Sequence, residues 1–326
     1  MQALSRSQGG EPLGAVGPPD EANTQPGMLK QGTLWDRAQA AAQHALACGA
    51  LKPIPAVAER VHDGGIAFTV WRLAQPSTQL PADRAQFAKP AWSERDANPF
   101  LPYDPDMFVC DLSDTHVCLL NKYNVLNTHL LLVTRAFEHQ TDWLTVADFE
   151  AVRLCMTEFD GLAFYNGGRI AGASQRHKHL QYVPLPLAPN DVGLPISAVV
   201  PAAEWHDDIG RIDSLPFVHA LARIGAGAGE SNVATLQAEA LLETYRRLRS
   251  AAGIPVTGTQ RQSMAYNLLV TSDWMLIAPR RAESYHDISV NALGFAGSLL
   301  VRNIPQLDLI RSIGPLALLS HVGVPR

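Results

Sequence analysis

Apolar residues follow two spacings along this chain. Helical spacing, or an alanine-rich run, predicts helices over residues 33–50, 145–158, 233–252 and 304–312. Short, strongly apolar runs predict strands at 66–74, 106–112, 115–122, 129–134, 162–166, 264–271 and 274–278. Strands followed by helices, twice over, predict an α+β fold with a mostly antiparallel sheet and flanking helices.

Proline, glycine and polar residues separate these elements. Residues 1–27 contain no apolar run and predict a disordered tail. Residues 75–105 are rich in proline and polar side chains, and we expect them to pass over the surface instead of forming a buried element. Residues 184–216 are predicted to be mostly irregular, and 224–232 to form a connector.

Composition narrows the class of protein. The chain has 326 residues, of which 47% are hydrophobic, so a large core can form. A net charge of -5 argues against a general nucleic-acid binder, and no apolar run is long enough to predict a membrane span. Four isolated cysteines without a C-x-x-C pair fit a reducing compartment, the cytoplasm, and argue against a cysteine-based zinc site: Cys48, Cys110, Cys118 and Cys155.

The candidate chemistry is concentrated between Gly172 and Gln181. If the residues after the turn form a strand, His177, His179 and Gln181 share one face, and the side chains between them take the other. Two imidazoles and an amide after a turn rich in backbone N–H groups suit a phosphate site. Two other interpretations stay open. One is the polar face of a surface strand, and the other is a zinc pair completed by residues such as His206, Asp207 and Asp208.

Nucleotidyl transfer by double displacement makes specific demands on such a site. The nucleophile must attack phosphorus and later leave, which neutral imidazole does near pH 7. Its other ring nitrogen needs an acceptor, which the sequence does not place. Donors must meet the phosphoryl oxygens where negative charge builds up. Gln181 and the turn 172–175 offer such donors, whereas His129, on a very apolar run, is expected to be a core or edge histidine.

The segment 177–181 resembles the H-x-H-x-Q signature of the histidine-triad-like nucleotidyltransferases, the galactose-1-phosphate uridylyltransferase-like superfamily. In detail it resembles the diadenosine tetraphosphate phosphorylase (ATP adenylyltransferase) family. Further segments resemble that family in the same order along the chain: 119–125, 130–134, 164–166, 172–174, 266–269 and 274–280. The chain departs from the pattern in two places: Arg176 adds a positive charge directly before the motif, and the tail 1–27 has no counterpart.

The resemblance implies a role for each matching residue. His179 is expected to be the catalytic nucleophile, with His177 orienting phosphate or the loop and Gln181 binding phosphoryl oxygens. The expected phosphate cradle consists of Gly172, Ala173, Ser174 and Gln175. The other expected substrate-binding residues are Lys52, Asn121, Lys122, Asn166, Asn267, Leu268, Leu269, Leu276 and Arg280.

The resemblance also implies a reaction and a division of the chain. The expected reaction is phosphorolysis of diadenosine tetraphosphate to ATP and ADP through an adenylyl-histidine. The alternatives are a sugar-1-phosphate nucleotidyltransferase or nucleotide-sugar phosphorylase, and a nucleotide-binding module without turnover. The expected partners are dinucleoside polyphosphate, ATP, ADP and phosphate, without nucleic acid or membrane. No resident metal is expected, and magnesium is expected only as a loosely held counterion of the substrate. After the tail, residues 28–200 are expected to form the histidine-triad-like catalytic region, and 201–326 a C-terminal region that completes the sheet.

Overall fold

The structure, a computed structural model, describes residues 27–74, 97–188, 192–225 and 234–326, without the side chains of 234–236. Residues 1–26 of the predicted tail and residues 75–96 lie outside these ranges. The helices are α1 (Leu34–Ala47), α2 (Val146–Glu158), α3 (Ala234–Ala251), α4 (Ala292–Phe295), α5 (Ile304–Ile313) and α6 (Pro315–Val322).

The centre of the fold is a ten-stranded sheet in which every neighbouring pair is antiparallel. Its spatial order is β3 (Phe108–Asp111), β4 (His116–Leu120), β5 (Leu130–Thr134), β7 (His179–Pro184), β6 (Gly161–Gly167), β11 (Tyr266–Val270), β12 (Trp274–Pro279), β10 (Ala220–Arg223), β9 (Ile209–Arg211) and β8 (Glu204–His206). The sheet joins strands from both predicted regions, because β6 pairs directly with β11. The predicted α+β fold with a mostly antiparallel sheet is confirmed.

A smaller sheet adds a second layer. Its strands are β1 (Ala56–Asp63), β2 (Ile66–Leu73) and β15 (Ser298–Val301), and β15 runs parallel to β2. Near it a two-stranded hairpin forms from β13 (Ser284–Tyr285) and β14 (Ile288–Ser289). The pairing of β2 with β15 therefore ties the start of the chain to its end.

Each face of the large sheet has its own hydrophobic core. On one face, Leu180 and Tyr182 of β7 belong to a cluster with Phe149 of α2 and Tyr245 of α3. On the other face, apolar residues of β2, β15 and α4–α6 pack against alternate residues of the same central strands, such as Phe164. Since side chains alternate along a strand, these two cores fix which face each residue of β7 can take.

The structure corrects several predictions about the irregular segments. The segment 184–216 contains the short strands β8 and β9, and a sixth helix follows the predicted last one. Of the predicted surface excursion, residues 97–105 turn back to the sheet, and Phe100 is 7% exposed. This happens because Phe100 packs with the apolar face of β4 and β5. None of the helices in the described ranges combines the length and apolarity needed to cross a membrane.

Candidate active site

The motif strand β7 presents its alternate side chains to two different environments. Lys178 and Leu180 face α2: Leu180 lies in the core beside that helix, and Lys178 contacts its Asp148. The rings of His177 and His179 face the opposite side, where Phe100 lies 5.6 Å and 5.4 Å from their ring centres. The regular strand begins at His179, and His177 pairs with His139 through an isolated bridge.

The polar face of this segment is buried. His177 is 0% exposed, His179 is 3% exposed and Gln181 is 8% exposed. The alternative of an ordinary surface strand is therefore wrong. Buried polar side chains need hydrogen-bond partners, and the partners of each histidine show how its ring is oriented.

The backbone of the motif itself orients the ring of His179. Its Nδ1 donates to the carbonyl oxygen of His177 at 2.8 Å, so this nitrogen carries the ring proton. The lone pair then lies on Nε2, which has no hydrogen-bond partner among the described residues. This carbonyl is the acceptor that the sequence did not place. His179 therefore offers a nitrogen nucleophile that is already oriented.

Burial also keeps this ring unprotonated. It lowers the pKa of His179 to about 4, and the nearby His177 acts in the same direction, whereas the hydrogen bond to the His177 carbonyl opposes the shift. At neutral pH the ring is consequently neutral. A neutral imidazole is the form that can attack phosphorus.

Both ring nitrogens of His177 are occupied by the protein. Its Nε2 donates to the carbonyl oxygen of Thr134 at 2.8 Å, and its Nδ1 accepts from Asn98 Nδ2 at 3.0 Å. Burial lowers the pKa of His177 as well. With both nitrogens bonded to the protein, the ring of His177 holds the backbone whose carbonyl accepts from His179. The two histidines thus differ in hydrogen bonding, and different roles for them stay a prediction.

A relay of hydrogen bonds orients Gln181. Asn121 Nδ2 donates to His129 Nδ1 at 3.2 Å, and His129 Nε2 donates to Gln181 Oε1 at 2.8 Å. Burial lowers the pKa of His129 to about 4, so this ring is neutral at physiological pH. Because the amide oxygen of Gln181 is occupied, its NH₂ group remains as a donor toward a ligand. His129 is thus buried, as expected, and it also belongs to the site.

Gln140 fixes the backbone of His179. This fully buried side chain accepts from the backbone N–H of His179 at 2.9 Å through Oε1. Its Nε2 donates to the carbonyl oxygens of Asn166 at 2.9 Å and His179 at 3.2 Å. One amide thereby links β7, the strand of His179, to β6, the strand that leads into the glycine turn.

The predicted phosphate cradle starts at a glycine that no other residue can replace easily. Gly172 has φ of +90°, and a Cβ there would lie 2.7 Å from the carbonyl oxygen of Val290. Of the three residues that follow it, Ala173 is buried, Ser174 is exposed and Gln175 is half-buried. The small residues therefore let the turn lie directly against the loop before α4.

A buried polar group supports this turn from behind. Asn267 Nδ2 donates to Asn166 Oδ1 at 2.9 Å and to the carbonyl oxygen of Ala171 at 2.8 Å. Arg280 Nη1 donates to Asn267 Oδ1 at 2.6 Å and to the Val290 carbonyl at 2.9 Å. The remaining nitrogens of Arg280 bond to other backbone carbonyls, and burial lowers its pKa to about 9.

These contacts bear on the residues expected to bind substrate in the second half. The side chains of Asn267 and Arg280 bond to the protein and support the turn. Asn166 accepts through Oδ1 from Asn267 and from the Ala292 N–H, while its Nδ2 has no hydrogen-bond partner among the described residues. Three leucines lie in the core, within strands that are paired on both sides: Leu268, Leu269 and Leu276. Direct contact of these six residues with a nucleotide stays a prediction. The observed contacts with the turn and the loop beside it come from Asn166, Asn267 and Arg280.

Behind the motif, Lys178 joins a charge network in which Asp148 is buried and Glu138 reaches the surface. Its Nζ lies 3.0 Å from Asp148 Oδ2 and 2.7 Å from Glu138 Oε2. Asp148 also accepts from His116 Nε2 at 3.2 Å, and the His116 bond and the Lys178 charge lower the pKa of Asp148 against the effect of burial. This network ties the motif strand to the first turn of α2.

An open cavity of about 330 Å³ lies beside the relay. Its walls combine apolar side chains with amides: Trp35, Gln39, Ala42, Gln43, Leu46, Leu51, Pro53, Leu120, Asn121, Asn124, Asn127, Thr128, His129 and Pro184. At its rim the backbone N–H of Lys52 donates to the carbonyl oxygen of Lys122 at 2.9 Å. The tertiary structure thus brings together three predicted binding residues, Lys52, Asn121 and Lys122.

A zinc site at the motif would need ligands besides His177 and His179. Among the described residues, no third His, Cys, Asp or Glu side chain lies close enough to His177 and His179 to complete a metal site. His206, Asp207 and Asp208 lie at the far edge of the sheet, in and after β8. Three of the four ring nitrogens of His177 and His179 instead form hydrogen bonds to the protein.

Sequence patterns did not point to four residues of this site. Asn98 and Phe100 come from the predicted surface excursion, Thr134 ends β5, and Gln140 follows it in a loop. A lone polar residue in a loop carries no periodic signal. The Asn98-Pro99-Phe100 sequence, with an aromatic residue inside a polar stretch, is the only local hint at a buried return.

Comparisons with known proteins agree with this architecture. Residues 24–202 match the Ap4A phosphorylase N-terminal domain family, and residues 213–325 match the ATP adenylyltransferase C-terminal domain family. Diadenosine 5',5'''-P1,P4-tetraphosphate phosphorylase 2 from Saccharomyces cerevisiae is 26% identical over 283 residues, which cover 80% of this chain and 84% of that protein.

Solved structures show the same fold. The yeast Ap4A phosphorylase Apa2 in complex with AMP superposes with a TM-score of 0.71 at 21% identity, covering 91% of this chain and 99% of that one. The same yeast protein in complex with Ap4A gives a TM-score of 0.70 at 23% identity, with the same coverage. The match to the Ap4A phosphorylase N-terminal domain alone spans more than half of the residues of this chain, and the chain therefore belongs to the Ap4A phosphorylase family.

Proposed function

We propose that this protein splits diadenosine tetraphosphate with inorganic phosphate, giving ATP and ADP, through an adenylyl group carried on His179. The observation that carries the proposal is the geometry of His179, a buried neutral imidazole whose Nδ1 is tied to a carbonyl and whose Nε2 is available. The family match and the likeness to a phosphorylase solved with AMP and with Ap4A support it.

The reaction consists of two displacements. First, Nε2 of His179 attacks the α-phosphorus of one adenylyl end, the bond to the bridging oxygen breaks, and ATP leaves. A phosphate oxygen then attacks the same phosphorus, the P–N bond breaks, and ADP forms with neutral His179 restored. The His177 carbonyl holds the Nδ1 proton throughout and stabilises the positive charge that develops on the ring.

Other residues serve the phosphates and the nucleoside. The NH₂ group of Gln181 and the backbone N–H groups of the turn 172–175 donate to the phosphoryl oxygens. The cavity beside Asn121 takes an adenosine, with Trp35 and the leucines against the base and the amides at its polar edges. Lys52 and Lys122, at the rim, attract the polyphosphate. Magnesium enters only as the counterion of the substrate, and the cytoplasm is the proposed compartment.

Product analysis tests the proposal. We expect wild-type protein with diadenosine tetraphosphate to form equal amounts of ATP and ADP only when phosphate is present. His179→Ala should reduce the rate by at least about 10⁴-fold, because the nucleophile is lost. Without phosphate, quenched wild-type protein should carry one AMP on His179, detected by peptide mass spectrometry. His62→Ala, which changes an exposed histidine on β1, is the matched control.

Several outcomes would contradict the proposal. Full phosphorolysis by the His179→Ala protein would show that this ring is not the nucleophile. Turnover of nucleotide sugars but not of dinucleotides would assign the site to a sugar-1-phosphate nucleotidyltransferase. Tight nucleotide binding without any product would indicate a binding module.

A further inference from the structure

Three side chains with metal-ligating atoms meet at the end of α1, away from the motif. His44 lies on the last turn of this helix, Cys48 is its C-cap residue, and Asp106 lies in the short 3₁₀ helix Pro105–Met107. Their ligand atoms all lie within 4.8 Å of one another, and His44 Nε2 is 2.7 Å from Asp106 Oδ1. This is the single such group among the described residues.

The helix geometry makes two of these residues natural partners. Positions i and i+4 lie one above the other on a helix, so His44 and Cys48 project from the same face. They also lie at the C-terminal end of α1, where the helix dipole and the last carbonyl groups favour a cation. Of the four cysteines, Cys48 is exposed and the other three are buried. Within the described ranges, the hydrogen bond of its thiol is a long one, 3.6 Å to the Ala45 carbonyl.

The third residue is held in place by its own element. Asp104 Oδ1 accepts from the backbone N–H of Asp106 at 3.1 Å and so caps the 3₁₀ helix. Met107, the last residue of this turn, is buried and belongs to the same core as Ala45 of α1. The carboxylate of Asp106 is therefore presented toward α1 by a fixed backbone, and it already contacts His44 there.

We propose that His44, Cys48 and Asp106 form a zinc site, with a water molecule as the fourth ligand. One nitrogen, one sulfur and one oxygen are ligands that Zn²⁺ accepts in tetrahedral geometry. On binding, the Cys48 thiol releases its proton to solvent, and the ring proton that His44 Nε2 donates to Asp106 is exchanged through solvent for one on Nδ1. The thiolate, the lone pair freed on His44 Nε2 and an Asp106 oxygen then bond to the metal. The metal replaces the His44–Asp106 hydrogen bond. All three side chains are exposed, so small rotamer changes suffice.

Zinc at this point would fasten α1 to the segment that reaches the active site. Residues 97–107 carry Asn98, which bonds to His177, and Phe100, which packs on His179. On the other side of the proposed metal, α1 contributes Gln39 and Gln43 to the wall of the cavity beside Asn121. The site is structural and does not touch the reacting groups, so it stands independently of the proposed reaction.

Metal titration tests the site. Protein freed of metal with a chelator is titrated with Zn²⁺ against a coloured competitor, and with Co²⁺ while the thiolate-to-cobalt charge-transfer absorption is recorded. We expect one ion per chain and a charge-transfer band. Cys48→Ser should abolish the band and weaken Zn²⁺ binding at least about tenfold, and His44→Gln should weaken binding similarly.

Two controls separate this site from other histidines. His179→Ala and His62→Gln should bind Zn²⁺ as the wild type does. The proposal is overturned if no charge-transfer band forms, if Cys48→Ser binds Zn²⁺ as tightly as the wild type, or if His179→Ala removes the binding. The last result would place the metal at the motif instead of at α1.

Discussion

At the scale of single residues, the reactivity of His179 is a property of its neighbours. An exposed histidine is partly protonated near pH 6.5 and can use either ring nitrogen. Here the His177 carbonyl selects the tautomer, and burial keeps the ring neutral. The imidazole of His177, two residues earlier, uses both ring nitrogens in hydrogen bonds, to the Thr134 carbonyl and to Asn98. The H-bond partners, not the residue type, distinguish the two rings.

Gln140 gives a sharp test of positioning. Gln140→Leu keeps the volume but removes the acceptor for the His179 N–H and the donor to the Asn166 carbonyl. We expect kcat of phosphorolysis to fall about 100-fold with KM changed much less, because a small displacement of the nucleophile is costly. The free energy of unfolding should fall by about 1–3 kcal/mol, because buried polar groups lose their partners.

Gln140→Glu is the companion variant. It retains an acceptor for the His179 N–H but cannot donate to the Asn166 carbonyl while ionised. Steady-state kinetics should therefore place it between the wild type and Gln140→Leu in kcat. Wild-type kcat in the folded Gln140→Leu protein would show that this side chain does not position the nucleophile.

At the scale of elements, the glycine turn depends on a loop from the other end of the chain. The Val290 carbonyl lies against Gly172 and also accepts from Arg280, so turn, loop and arginine form one packed unit. Strand β11 contributes Asn267 to the same unit. The cradle is consequently set by tertiary contacts as much as by its own small residues.

Gly172→Ala tests this packing, with Gly253→Ala as the matched control. Both glycines have positive φ, +90° and +70°, but only at Gly172 would a Cβ meet backbone atoms within 4 Å. We expect Gly253→Ala to cost about 1 kcal/mol of unfolding free energy and to leave kcat/KM unchanged. Gly172→Ala should cost more and lower kcat/KM at least about tenfold. Equal effects of the two substitutions on both measurements would contradict a packed cradle.

At the scale of the whole molecule, one sheet unites the two family regions, and its stability is linked to buried neutral histidines. Burial lowers the pKa of His129, His179 and His219 to about 4 in each case. His219 must also be neutral to accept from the Ile212 N–H at 2.9 Å. An unfolded chain protonates these rings near pH 6.5, and therefore binds more protons than the folded one between pH 6.5 and 4.

The sign of the pH dependence follows from this difference. The free energy of unfolding should be highest above pH 6.5 and should fall as the pH drops toward 4, by up to about 3 kcal/mol for each of the three rings. Urea unfolding at pH 7.5 and pH 4.5 measures the loss. His219→Gln, outside the active site, should reduce the difference between the two pH values. An equal unfolding free energy at both pH values would contradict the linkage.

The sequence by itself determined the four longest helices, the strands β2–β7, β11 and β12, and the character of the motif. Periodicity and the alternation of His177, His179 and Gln181 are relations between near neighbours, so they are readable without the fold. The tertiary structure decided which nitrogen is available, which residues position it, and which predicted ligands support the turn. Asn98, Gln140 and Asn267 reach the motif and its turn across 79, 39 and 96 positions of chain. A lone polar side chain carries no signal of such a distant partner, because only packing brings the two together.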